Sequence, residues 1–116
     1  MDVRKTLCRL EDIPDGGAIA VDLPADIDSA QDGYAESLIL LRRHARVFAY
    51  RNTCPHAGNR LDWSPGQFLF EGSYLICAAH GAMFAVASGE CVSGPCRGEH
   101  LGSLAVEVLE GGVYLV

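Results

Sequence analysis

Two short segments, CPH at residues 54 to 56 and CAAH at residues 77 to 80, constrain this 116-residue chain more than anything else in it. Each pairs a thiol with an imidazole: Cys54-x-His56 and Cys77-x-x-His80. Each is too short to wrap an ion alone, so the pattern has meaning only if the fold brings the two clips together. Both follow directly on segments that read as strands, Arg46 to Tyr50 and Tyr74 to Cys77, so two loops at one end of a sheet can close over a shared centre. Thiolate is a soft ligand and imidazole an intermediate one, which narrows the occupant to zinc, copper or an iron–sulfur cluster.

The rest of the chain supplies strands for such loops. Short apolar segments recur about every ten residues with Gly, Pro, Asp or Ser between them, the punctuation of an all-β protein. Val3 to Leu10 and Ala18 to Leu23 read as strands. The acidic, turn-rich stretch 24 to 37 reads as a surface loop. Ser37 to Arg43 and Arg46 to Tyr50 form a hairpin through His44-Ala45. Met83 to Ala87 is a strand turning at Ser88-Gly89-Glu90, and residues 91 to 102 a Gly/Pro loop. Leu104 to Leu109 and Val113 to Val116 alternate well enough to form a closing hairpin.

At 49% hydrophobic content the chain can bury a core of its own and is expected to be one domain, residues 1 to 116. No apolar run approaches the ~18 residues of a membrane span. The start of the chain has no apolar segment fit for a secretory leader, so a cytoplasmic protein is expected. The net charge of −6 comes from residues 1 to 36, with nine acidic and three basic side chains, while residues 37 to 116 are balanced. A chain without a basic stripe is not built for nucleic acid. The acidic third reads as a solvated face, with docking on a basic partner as the sharper alternative. Five cysteines are an odd count, and in a reducing compartment a Cys/His pattern points to metal before disulfides.

Two occupants remain. A structural zinc site would use all four side chains as a tetrahedron, although zinc modules space their paired cysteines more widely than one intervening residue. A two-iron cluster would give the cysteines one iron and the histidines the other.

CPHAGNRL followed by CAAHGAMFAVASGECVSGP resembles the paired cluster-binding loops of Rieske-type [2Fe-2S] ferredoxins, from about Leu38 to the C-terminus. The resemblance implies an antiparallel β-sandwich with a small cluster-binding subdomain, whose loops lie at about 52 to 62 and 76 to 84 and whose proline loop lies at about 92 to 98. It implies one cluster per chain, with Cys54 and Cys77 on the buried ferric iron and His56 and His80 on the outer, reducible one. Gly58 and Gly81 resemble glycines that let the backbone approach the cluster and give amides to its sulfurs. Pro55 resembles a residue that stiffens the first clip, and Gly94-Pro95 the loop that covers the cluster from a third side. The spacer of twenty residues between His56 and Cys77 is slightly long for the family, which lengthens a loop without removing a ligand.

Departures from the family narrow the function. The respiratory members carry an extra cysteine in each loop, where this chain has Asn59 and Ala79. They also place a serine and a tyrosine where this chain has Ala82 and Phe84. Without those hydroxyls to bond cluster and ligand sulfurs, the potential is expected near the bottom of the Rieske range, on the order of −150 mV. An oxygen-activating iron needs two more histidines and a carboxylate, and only His44 and His100 remain. The resemblance therefore implies a non-enzymatic electron carrier, with a flavin-dependent reductase as donor and a terminal oxygenase as acceptor. A small subunit of an assimilatory nitrite reductase and an iron–sulfur redox sensor are the alternatives.

Other residues have plainer readings. Cys8 reads as a small buried hydrophobe and Cys91 and Cys96 as free thiols, with Cys96 able to approach the cluster. His44 and His100 read as exposed, and Trp63 as packing that supports the spacer. Arg51, Arg60 and Arg97 divide between a docking rim and ordinary surface charge.

Overall fold

The computed structural model describes residues 5–23, 36–55, 60–79 and 81–116. Its strands are β1 (Lys5–Arg9), β2 (Ala18–Leu23), β3 (Glu36–Arg43), β4 (Arg46–Arg51), β5 (Leu69–Glu71), β6 (Tyr74–Ile76), β7 (Met83–Ala85), β8 (Cys91–Ser93), β9 (Ser103–Leu104), β10 (Val106–Leu109) and β11 (Gly112–Leu115). A 3-10 turn, Leu10–Asp12, follows β1. All pairings are antiparallel and give three sheets, ordered β1-β11-β10, β2-β3-β4-β9 and β5-β6-β7-β8.

The apolar run of β3 explains how the layers stack. Successive side chains of a strand point to opposite faces, so a strand that is apolar at every position is covered on both. Ile39 and Leu41 enter a core shared with Leu75 and Phe84 of the β5-β6-β7-β8 sheet and with Val86 just past β7. Leu40 enters a second core with Ile13, Ala49 and Val113, against which Leu7 and Cys8 of β1 and Val106 and Val108 of β10 pack. The β2-β3-β4-β9 sheet thus has the β5-β6-β7-β8 sheet on one face and the terminal strands on the other.

Local chemistry sets the connections. β10 and β11 pair from Val106↔Leu115 to Leu109↔Gly112, leaving Glu110-Gly111 as a two-residue turn with φ of 50° and 80°. Positive φ at both centres is the turn that matches strand twist. The β3–β4 turn carries His44 at φ 58°, its amide donating to Asp15 Oδ1 at 2.7 Å. This hydrogen bond, helped by His44 and Arg42 charge, holds the exposed Asp15 carboxyl below its usual range.

Several boundaries differ from expectation. Residues 91 to 102, expected as a loop, contain β8 and an isolated bridge, Glu90↔His100. The three-residue β5 inside the long spacer was not expected at all. Leu104 belongs to β9 and pairs with Ala49 of β4 instead of opening the closing hairpin. Glu36 and Ser37 continue β3, while the remainder of the expected acidic loop, 24 to 35, lies outside the described residues.

Candidate metal centre

β4 delivers the first clip. The strand ends at Arg51, and Asn52, two residues before Cys54, is a buried polar side chain at 3% exposure. Its amide nitrogen donates to Ser37 Oγ at 3.2 Å, and its carbonyl oxygen accepts the Leu61 amide at 2.8 Å. One side chain therefore joins the residues on either side of the first loop. Cys54 itself is fully buried, and Pro55 half-buried.

The second clip spans the β6–β7 hairpin. Its neck is closed by the Cys77 amide donating to Ala82 O at 2.8 Å and the Gly81 amide donating to Cys77 O at 2.8 Å. Gly81, at φ 74°, thus gives its amide to a carbonyl of its own turn. The hairpin is short enough that its backbone must satisfy itself before it can serve anything else. Cys77, like Cys54, is fully buried, and both belong to the core that contains Leu61, Ala82 and Phe84. His56, Gly58 and His80 lie outside the described residues.

A backbone hydrogen bond links the two loops. The Ala78 amide, one residue past Cys77, donates to Leu61 O at 3.0 Å, and Leu61 is the residue pinned by Asn52. The first loop's partner in the second is thus fixed without a disulfide.

β8 leads into the third segment. Gly94 and Pro95 face solvent, while Cys91 and Cys96 turn inward at 1% exposure. Gly94 has φ 106°, and a Cβ there would lie 2.8 Å from Ala82 Cα. Only glycine lets the proline loop pass this close to the second clip. Ala82 and Phe84 are both fully buried and offer no hydroxyl. Cys91 and Cys96 are free thiols with sulfurs 2.9 Å apart. Burial pushes the Cys96 thiol up to about 12, its hydrogen-bonding contacts with Cys91 and with Cys54 adding to the rise.

The family model for the Rieske [2Fe-2S] domain matches residues 5–109. The chain belongs to this family. Membership implies a [2Fe-2S] cluster, and two thiols shielded from solvent at the ends of converging loops are the donors that such a cluster takes. This Rieske chain is similar along its whole length to solved ferredoxins. It is 26% identical to a chain in the complex of reduced oxygenase and oxidized ferredoxin in carbazole 1,9a-dioxygenase, covering 100% of this chain and 94% of that one with a TM-score of 0.70. Against the ferredoxin of Sphingomonas yanoikuyae B1 the identity is 22%, the coverage 97% of both chains and the TM-score 0.73. Against the ferredoxin of carbazole 1,9a-dioxygenase from Nocardioides aromaticivorans IC177 the values are 23%, 99% and 98%, and 0.72. A search of curated proteins found no match.

The surroundings correct one reading and add a partner to another. Trp63, expected to pack under the spacer, is 60% exposed, because the Trp63–Gln67 turn is held by its backbone, with the Trp63 amide donating to Gln67 O at 3.0 Å. Arg60 is an ion-pair partner: Nε and Nη2 grip Asp62 at 3.0 and 2.8 Å. Asp62 also accepts the Gly66 amide at 3.0 Å. Burial pushes the Asp62 carboxyl up, but Arg60, the Gly66 amide and Asn52 outweigh it, so it titrates below the usual carboxylate range. A depressed folded value means that Asp62 stabilises the fold above its unfolded pKa of about 3.9 and loses that contribution as pH falls through the lower folded value. Urea midpoints of the wild type should therefore converge on those of Asp62→Asn as the pH is lowered through that window, having been higher above it. Parallel pH profiles would remove Asp62 from the stability of the spacer.

Proposed function

We propose that this Rieske chain is a soluble, cytoplasmic, low-potential one-electron carrier, the ferredoxin component that takes electrons from a flavin-dependent reductase and passes them to a terminal oxygenase. The observation that carries this reading is the pair of buried cysteines, Cys54 and Cys77, on two hydrogen-bonded loops whose neighbours at 82 and 84 lack hydroxyls. End-to-end similarity to a chain in an oxygenase–ferredoxin complex supports the choice of partner.

Cys54 and Cys77 would hold the inner iron, and His56 and His80 the outer one. When bound, the cluster supplies a site that gains and loses one electron. The chain's own residues shape that site. Leu61, Ala82 and Phe84 exclude water from the cysteine side. Asn52 and the Ala78–Leu61 hydrogen bond set the separation of the two clips. Gly94 and Pro95 would cover the third side, with the histidines directed to a partner. Catalysis on substrate belongs to the acceptor protein, and this chain is not itself an enzyme.

Redox titration with low-temperature EPR tests the proposal. A red-brown protein should acquire a rhombic signal on reduction, with average g below that of the free electron. Its midpoint should fall near the low end of the Rieske range, on the order of −150 mV. A clearly positive midpoint would contradict the low-potential assignment, and a colourless protein holding one zinc would contradict electron transfer altogether. Turnover with a flavin reductase and an oxygenase should weaken as salt rises, as for transient charge-steered partners.

A further inference from the structure

The β3–β4 hairpin ends on two arginines that face each other. Arg43 and Arg46 are direct cross-strand partners on either side of the His44-Ala45 turn. Side chains two apart on a strand share a face, so Arg43 lies on the side of Leu41 and Arg46 on that of Phe48, toward the β5-β6-β7-β8 sheet. Like charges set directly opposite each other destabilise a strand pair. Here they rim a cleft of about 410 Å³ whose far side is formed by Ser73, Tyr74 and the end of β7. No Asp or Glu is among the described residues that line it, although the protein carries a net charge of −6. Asp15, the carboxylate at the hairpin turn, is engaged with His44, 3.3 Å from its Nδ1.

Hydrogen bonds fix the walls of this cleft. The Val86 amide donates to Ser73 O at 3.1 Å, and Val86 O accepts the Tyr50 hydroxyl at 2.7 Å, which ties the end of β7 to the β5–β6 turn and to β4. The Arg46 guanidinium carbon lies 5.0 Å from the centroid of the half-buried Phe48 ring, and a guanidinium stacked by its face keeps its N–H edge free to donate. Beyond the charges the lining is apolar, with Phe48, Ala85, Val86 and Ala87. A planar N–H fork fits a carboxylate with two bonds at once. The volume falls among small-molecule sites, roughly 300–1,000 Å³. A polyphosphate would set further charges against alkyl walls, whereas a single carboxylate leaves those walls to an apolar body. We propose that the cleft binds a small carboxylate carried on an aromatic body, with Arg43 and Arg46 holding the carboxylate and Phe48 and Ala85 to Ala87 the body. The site is separate from the clips: β4 alone puts about 17 Å between Arg46 and Arg51, and Cys54 follows beyond it.

Titration of the isotope-labelled protein, as purified, with naphthoate under NMR observation tests the proposal. The amide signals of Phe48, Tyr74 and Ala85 to Ala87 should move together and saturate. Naphthamide has the same body without the charge, and inorganic phosphate the charge without the body; each should bind at least about tenfold more weakly. Arg43→Gln and Arg46→Gln should each weaken naphthoate about tenfold. Arg43→Gln should also keep the urea midpoint at or above that of the wild type, because it relieves the repulsion across the hairpin. Should a variant fail to fold, the wild-type comparison of naphthoate with naphthamide decides the question. No saturable binding, naphthamide bound as tightly as naphthoate, or shifts confined to residues outside the cleft would each overturn the proposal. Phosphate bound as tightly as naphthoate would overturn it too, since the apolar walls would then contribute nothing. None of these outcomes touches the iron ligands, so the electron-carrier reading stands or falls separately.

Discussion

Cys77→Ala will purify as a folded but colourless protein, with iron near background and no EPR signal on reduction. The fold survives because the hairpin neck is made by backbone groups: the Cys77 amide donates to Ala82 O and its carbonyl accepts from Gly81, and alanine keeps both. Alanine also suits a fully buried position in an apolar core. With the proposed ligand set, what disappears is a thiolate, and with it one bond to iron. Loss of a group hydrogen-bonded to a ligand typically costs about 10–100-fold in metal affinity, and loss of a ligand itself costs more. Cys54→Ala should behave alike. Cys8→Ala provides the control, because Cys8 packs in the second core, away from the clips, and its substitution should leave colour and iron unchanged. Full absorbance and iron in Cys77→Ala would remove Cys77 from the ligand set.

Asn52→Ala is expected to cost about 1–3 kcal/mol and to loosen the centre at the same time. The substitution strands the Leu61 amide, whose acceptor is Asn52 Oδ1 at 2.8 Å, and Leu61 is fully buried, so water cannot take the oxygen's place without opening the loop. It also breaks the contact with Ser37 Oγ that ties the first clip to β3. Since Leu61 O holds Ala78, the disturbance passes from the first loop to the second. Urea denaturation should show a lowered midpoint with little change in slope, and the loaded protein should lose its cluster to a chelator faster than the wild type. Wild-type stability combined with wild-type cluster retention would make Asn52 a bystander.

Much of this arrangement was legible beforehand. The β3–β4 and closing hairpins announce themselves through β-branched and aromatic residues around two-residue turns, and the strands formed within one or two residues of the expected positions. β5 and β8 did not announce themselves. Each has three residues, too few for a period to register, and each exists because β6 or β7 offers a paired edge. Trp63 was misread for a related reason: an aromatic residue in a long spacer predicts burial on average, but here the Trp63–Gln67 backbone closes the turn without needing the ring. Asn52 carried no signal at all, since an asparagine before a loop is ordinary until its environment is known. Buried polar groups reveal themselves only when the space around them is filled.

The sequence by itself determined the chemistry of the centre. Soft and intermediate ligands in two clips restrict the occupant, their order resembles one family, and alanine and phenylalanine at 82 and 84 carry no hydroxyl wherever the chain places them. These are properties of side chains and spacings, which no fold can alter. Only the tertiary structure decided what surrounds that chemistry: that β3 is covered on both faces, that Asn52 and Leu61 link the loops in place of a disulfide, and that the proline loop turns Cys96 inward against Cys91. The physical reason is that these contacts join residues far apart in the chain. Their strength depends on burial and direction, and both come into being only when the sheets have packed.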